Sequence, residues 1–97
     1  MLTSTMPERL SDDAVDAGLA KLSWTREGDE LVKQVTRSDF VDAVRFVDAV
    51  VPVAEEANHH PDVAISWNKV TLRLSTHSAG GLTQLDLDLA AKIDRLT

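Results

Sequence analysis

Apolar positions recur along this chain with two different periods, and the switches between them mark its elements. From Ser38 to about Asn58 the spacing is helical. Phe40, Val44, Val47, Val51 and Ala54 form one apolar row, and Ala43, Phe46, Val50, Val53 and Ala57 form a second beside it. Asp42, Arg45, Asp48, Pro52 and Glu55 trace the wetter side. Pro52 removes one intrahelical hydrogen bond and crowds the carbonyl of Asp48, so a bend is expected there. An apolar arc this wide exceeds what one sheet needs. Part of it is expected to meet either the N-terminal helix or another subunit.

After that helix the period drops to two. Val63, Ile65 and Trp67 alternate with Ala64 and Ser66; Val70, Leu72 and Leu74 alternate with Lys69, Thr71, Arg73 and Ser75. Two strands with one buried face follow, joined by a tight hairpin around Asn68. An earlier hairpin is predicted where Ser23–Arg26 and Leu31–Val35 flank Glu27-Gly28-Asp29-Glu30. Before it, Ser11 caps a short helix that stops between Gly18 and Leu22, with Asp12 and Asp13 at its positive end and Leu10 stapled to Val15. The last helix starts after Gly80-Gly81, capped by Thr83, with Asp86 closing a capping box and Leu82 stapled to Leu87. Its buried stripe is expected to be Leu85, Leu89, Ile93 and Leu96. The order α-β-β-α-β-β-α predicts an α+β fold: a four-stranded antiparallel sheet with helices packed on one face.

Ninety-seven residues suffice for one domain, spanning residues 1–97, with residues 1–7 expected to form a flexible tail. A formal net charge of −6 repels phosphate backbones, which argues against nucleic acid as a direct partner. With no cysteine, disulfides and thiolate metal sites are excluded. No apolar run suggests a membrane span, and the start of the chain lacks the features of a signal peptide, so a cytoplasmic location is the expectation.

Chemistry is concentrated in two stretches. Glu55-Glu56-Ala57-Asn58-His59-His60-Pro61 ends the long helix, and Ser75-Thr76-His77-Ser78-Ala79-Gly80-Gly81 follows the last strand; together they hold all three histidines. Imidazole exchanges protons near neutrality, and loop ends are where sites gather. A plainer account is open for each residue. A His-His pair can simply complement the negative end of a helix, Asp86 can be no more than a capping acid, and Trp24 and Trp67 can be core. A zinc site of His59, His60, His77 and a carboxylate is disfavoured, because adjacent residues seldom point the same way and no His-Glu-x-x-His is present. No Gly-x-Ser-x-Gly elbow and no phosphate-binding loop occurs.

Taken together, Glu55-x-x-x-His59-His60-Pro61, then Trp67-Asn68-Lys69-Val70, then Leu74-Ser75-Thr76-His77 with Gly80-Gly81-Leu82-Thr83-x-x-Asp86, resemble the pterin-4a-carbinolamine dehydratase family from about Phe40 to Ile93. The resemblance implies a hydro-lyase, a carbon–oxygen lyase of tetrahydrobiopterin recycling. It would remove water from a 4a-hydroxytetrahydropterin to give the quinonoid dihydropterin, with no metal and no organic cofactor. It places His59, His60 and His77 around the pterin. His60 and His77 would transfer protons and His59 would orient the ring. Glu55, one helical turn before His59, would orient that imidazole, and Asp86 would do the same for His77. Asn58, Pro61, Val63, Trp67, Thr76 and Ser78 are the expected substrate contacts. Relatives often carry an aromatic residue where this chain has Val63, and Trp67 is the nearby candidate to replace it as a stacking wall. The resemblance also implies a homodimer or homotetramer. Its alternatives are a dimerisation or assembly scaffold without catalysis, as for relatives that act as transcriptional coactivators, and a dehydratase for another pterin.

Overall fold

A computed structural model of the chain describes residues 8–97, so the tail expected over residues 1–7 lies outside the described residues. The elements are α1 (Asp12–Leu19), β1 (Thr25–Glu27), β2 (Glu30–Thr36), α2 (Phe40–Ala57), β3 (Asp62–Ser66), β4 (Lys69–Leu74), a 3-10 turn (His77–Ala79) and α3 (Gln84–Asp94). The strands form the expected four-stranded antiparallel sheet, in the order β1-β2-β4-β3. Among the described residues no helix is long and apolar enough to cross a membrane.

Register decides which face is buried. Leu31 pairs with Leu74, Lys33 with Leu72 and Val35 with Val70, while Val63 and Ile65 of β3 lie across from Leu72 and Val70. Because side chains alternate along a strand, these residues share one face. The helices cover it: Val15 of α1, Ala43, Phe46 and Val50 of α2, and Leu87, Leu89, Ala90 and Ile93 of α3 join the strand residues in one core. The other face is polar. Arg73 donates to Glu27 and Glu30 at 3.3 Å each, and Gln34 donates to Thr71.

The expected caps form. Ser11 accepts from the Ala14 N–H, and the Thr83–Asp86 capping box closes. Asp39 caps α2 by accepting from the Asp42 N–H at 2.7 Å. Asp42 in turn accepts from the Ser38 N–H and hydroxyl and from Arg37, and these bonds hold its carboxyl well below the usual carboxylate range, at about 2. Gly18 permits the close approach of α1 to α3: a Cβ there would lie 2.4 Å from Leu87 Cδ1.

On α2 the row through Ala43, Phe46, Val50 and Ala54 is buried, while Phe40 and Val51 of the other row are 54% and 52% exposed, so the apolar arc is wider than the sheet covers. Three expectations about apolar residues need correction. Leu85 is exposed, because the buried stripe of α3 runs through Asp86, Leu89, Ala90 and Ile93 and leaves Leu85 on its flank. Val63 is 40% exposed, because β3 is an edge strand. Trp67 is neither strand nor core. It occupies the β3–β4 turn with a positive φ of 52° and is 67% exposed, whereas Trp24 is buried. The helix itself continues through Pro52, which is exposed and so leaves the freed carbonyl accessible to water.

One charged cluster lies inside the apolar layer. Lys33 sits on the covered face of β2 and meets Asp94, at the end of α3, at 2.5 Å; their side chains are only 9% and 19% exposed. Asp94 also accepts from the Trp24 indole N–H and the Ser23 N–H, both at 3.0 Å. A carboxylate at a helix C-terminus opposes the helix dipole, so these three donors hold it there against that field. Asp94→Ala would leave a buried ammonium and an indole N–H without a partner. The expected loss is roughly 3 kcal/mol of stability, read from urea unfolding; a midpoint equal to the parent's would contradict this account of the cluster.

Candidate active site

Asn58 sets the direction of the His-His pair. It adopts a left-handed conformation (φ 49°, ψ 42°) at the end of α2, with its N–H bonded to Ala54 and Glu55. The His59 N–H returns to the Ala54 carbonyl at 3.2 Å. This is the Schellman arrangement, in which a left-handed residue satisfies the last carbonyls and turns the chain off the helix axis. Asparagine tolerates that conformation better than most residues with a Cβ. The hydrogen bonds of Asn58 display a chain-reversing role for its backbone.

Leaving the helix at Asn58 changes which acid meets which imidazole. Stacking of Glu55 on His59 requires the helix to continue for another turn, and it does not. His59 swings inward and places Nε2 2.5 Å from Asp86 Oδ1, with side-chain exposures of 11% and 0%. Glu55 instead meets His60 Nε2 at 2.5 Å, and both of those side chains are more than half exposed. The expected pairs, Glu55 with His59 and Asp86 with His77, are thus exchanged for Glu55 with His60 and Asp86 with His59. Water screens the outer pair, whereas the inner pair has its orientation fixed by burial.

The second loop reaches the same carboxylate. Thr76 and Gly81 exchange backbone hydrogen bonds of 3.0 and 3.4 Å, closing the loop that contains the 3-10 turn. Gly80 makes this closure possible with a φ of 71°. Closure turns the Thr76 side chain inward, where its hydroxyl donates to Asp86 Oδ2 at 2.8 Å. Thr76 is only 4% exposed and its hydroxyl is engaged by Asp86. The next residue, His77, starts the 3-10 turn; it and Ser78 are exposed. Asp86 therefore binds the two histidine-bearing loops together, accepting from His59 on one and from Thr76 on the other.

Beside His60 the surface opens into an apolar groove of about 170 Å³ between α2 and β3. Val47, Val51 and Ala54 form part of its lining with Pro61 and Val63, and Glu55 and His60 are its only polar lining residues. Trp67 is not there. From His60 the chain runs through the length of β3 before reaching Trp67, about 20 Å of extended backbone, so Trp67 stands at the other end of the strand. Asn68 anchors that distant turn: its side chain donates to the Arg37 carbonyl at 3.0 Å.

The sequence reading missed Thr83 as more than a cap. Its hydroxyl lies 2.8 Å from that of Thr76, and it is fully buried. Its spacing from Asp86 signalled the capping box but carried no sign of the contact with Thr76.

A four-stranded antiparallel sheet under three helices, with a buried His59–Asp86 pair where two loops meet and an exposed His60–Glu55 pair beside it, defines a small α+β protein. The family model described as pterin 4 alpha carbinolamine dehydratase matches residues 8–96, and the chain belongs to that family. A protein of Thermosynechococcus vestitus, provisionally named a pterin-4-alpha-carbinolamine dehydratase, is 49% identical over 94% of this chain and 97% of its own length. Among solved structures, a transcriptional coactivator/pterin dehydratase from Brucella melitensis superposes with a TM-score of 0.87 at 28% identity, covering 92% of this chain and 98% of that one. A pterin dehydratase-like protein identified as a RuBisCO assembly factor in the alpha-carboxysome shares the fold, with a TM-score of 0.61 at 21% identity over 77% of this chain and 87% of that one.

The role of Asn58 can be checked by substitution. Asn58→Gly should keep the chain reversal and near-parental stability, whereas Asn58→Val should cost about 1–2 kcal/mol and displace His59 from Asp86. Thermal unfolding of the two variants measures this; equal melting temperatures would remove the left-handed constraint from the account.

Proposed function

We propose that the protein dehydrates a 4a-hydroxytetrahydropterin to the quinonoid dihydropterin, with histidines as general acid and base. The observation that carries this reading is the carboxylate-held His59, tied through Asp86 to the loop that bears His77. In the reaction the C4a–O bond breaks as the hydroxyl takes a proton and leaves as water. N5 loses its proton, and the electrons of that N–H bond form the C4a=N5 double bond. One acid and one base are needed, and both can be imidazoles. His60 and His77, both exposed, are free to exchange protons with substrate and water. His59, held on one side by a buried acid, suits a binding and orienting role. Pro61 and Val63 offer an apolar edge to the planar ring. Relatives provisionally named for this activity at about half identity support the assignment.

The test generates the 4a-hydroxy adduct with a hydroxylase and follows its loss by absorbance. The protein should accelerate that loss above the spontaneous rate, and no acceleration would remove the enzymatic reading. His60→Ala and His77→Ala should each lower kcat by between about tenfold and 10⁴-fold; parental rates would overturn their roles as proton donors and acceptors.

The second element of the proposal is self-association. Phe40, Val44, Val47 and Val51 lie on one face of α2, two of them more than half exposed, and this face leads into the groove that ends at Val63. Such a surface is unusual on a monomer. Light scattering at micromolar concentration should report a dimer or tetramer, and Val51→Lys should shift it toward the monomer. A parent protein with only the monomer mass would contradict the proposal. The same face would suit a dimerisation scaffold, and the Brucella melitensis relative is named a transcriptional coactivator as well as a pterin dehydratase; a scaffold that lacks catalysis has no use for two imidazole–carboxylate pairs, so the enzymatic reading is preferred.

A further inference from the structure

Around Asp86 the hydrogen bonds have a direction that can be worked out atom by atom. Asp86 Oδ2 accepts from the Thr83 N–H at 2.9 Å and from the Thr76 hydroxyl at 2.8 Å. A hydroxyl carries one proton, and Thr76 has given its proton to the carboxylate. In the 2.8 Å contact between the two threonines, Thr83 must therefore donate and Thr76 accept. The Thr83 oxygen then has a lone pair for the Leu85 N–H, which lies 3.2 Å away. The chain runs one way: Leu85 N–H to Thr83, Thr83 to Thr76, Thr76 to Asp86. Thr76, Thr83 and Asp86 are 4%, 0% and 0% exposed, so water has little access to substitute for a missing member.

An ionised carboxylate has no proton to give, so Oδ1 faces His59 Nε2 as an acceptor, aimed there by the two donors that hold Oδ2. The proton between them is then the imidazole's. When the ring is neutral it is therefore the Nε2–H tautomer, and its Nδ1 carries a lone pair.

We propose that Thr76 and Thr83 are positioning residues: their one-way hydroxyl chain locks His59 in the Nε2–H tautomer, so that Nδ1 meets the substrate as an acceptor for a ring N–H. The inference rests on the dehydratase reading for its substrate and deepens it by specifying which atom of His59 binds and what kind of pterin atom it binds. A histidine in the other tautomer would present an N–H to that ring N–H, two donors facing each other, and ring binding would weaken.

Nitrogen-15 NMR of the intact wild-type protein at a pH where His59 is neutral tests the lock without reference to activity. The expected spectrum shows a single Nε2–H tautomer with a slowly exchanging Nε2 proton. A predominantly Nδ1–H ring would overturn the proposal, whatever the enzyme assay reports. Thr76→Val keeps the shape and removes the hydroxyl. It should mix the two tautomers and raise KM for the 4a-hydroxy adduct roughly tenfold, the lower end of what partners one step removed from a metal-bound histidine contribute. Thr76→Ser should restore both the tautomer and KM. A folded Thr76→Val with the parental spectrum and KM would refute the relay. Should Thr76→Val fail to fold, the wild-type spectrum and Thr76→Ser still decide. An inactive wild-type protein would count against the dehydratase reading alone, since the tautomer is read separately.

Discussion

Asp86 is a carboxylate with no exposed surface in a protein of modest size, and the arrangement of the functional half follows from satisfying it. An unpaired buried charge is prohibitively costly, so such a group must collect donors from whatever chain segments can reach it. Three segments supply them: the Thr83 N–H at the start of α3, the Thr76 hydroxyl beyond β4, and the His59 ring beyond α2. These segments belong to different elements, and among the described residues no other polar side chain bonds to all three. Helix capping and site assembly are the same event here. The capping box that starts α3 is also what draws the two histidine-bearing loops together.

Much of the fold could be read from the chain because local and global signals agree. The two-residue period of β4, the Gly28-Asp29 turn and the caps at Ser11 and Thr83 each act within a few residues, and each is found in the structure. The errors share a cause. Trp67 continues the alternation of β3 by one position, but the hairpin must turn there, and nothing in the alternation says where a strand stops. Leu85 fits the helical spacing as well as its neighbours do. Which of two overlapping stripes faces inward depends on Asp86 being buried, and an aspartate is not counted as a core residue when patterns are read.

The two histidine-bearing loops could be read from the chain, and the partners of their side chains much less so. Glu55 and His59 stand four apart, which on a continuing helix makes them neighbours. One left-handed residue, Asn58, cancels that inference and gives Glu55 to His60. In the same way His77 is nearest in sequence to the acid it was expected to meet, yet Thr76 is the residue that loop closure turns inward. Spacing rules hold inside a regular element. Both of these failures occur at the residue where an element ends, which is also where functional side chains are found.

The contrast between the three imidazoles has a physical logic of its own. In the proposed dehydration, a group that orients the substrate benefits from a rigid mounting, and His59 has one, nine-tenths buried against an acid that is itself fully bonded. A group that gives and takes protons must recover its starting state after each turnover, which requires access to water. His60 and His77 are exposed. Burying all three would hold the ring well and leave the proton donors unable to reset, whereas exposing all three would let protons exchange around a ring that nothing held. Dividing burial and exposure between adjacent residues, His59 and His60, requires the chain to change direction sharply between a helix and a strand. The left-handed Asn58 and the following Pro61 supply that change, so the same few residues that end α2 also separate a buried imidazole from an exposed one.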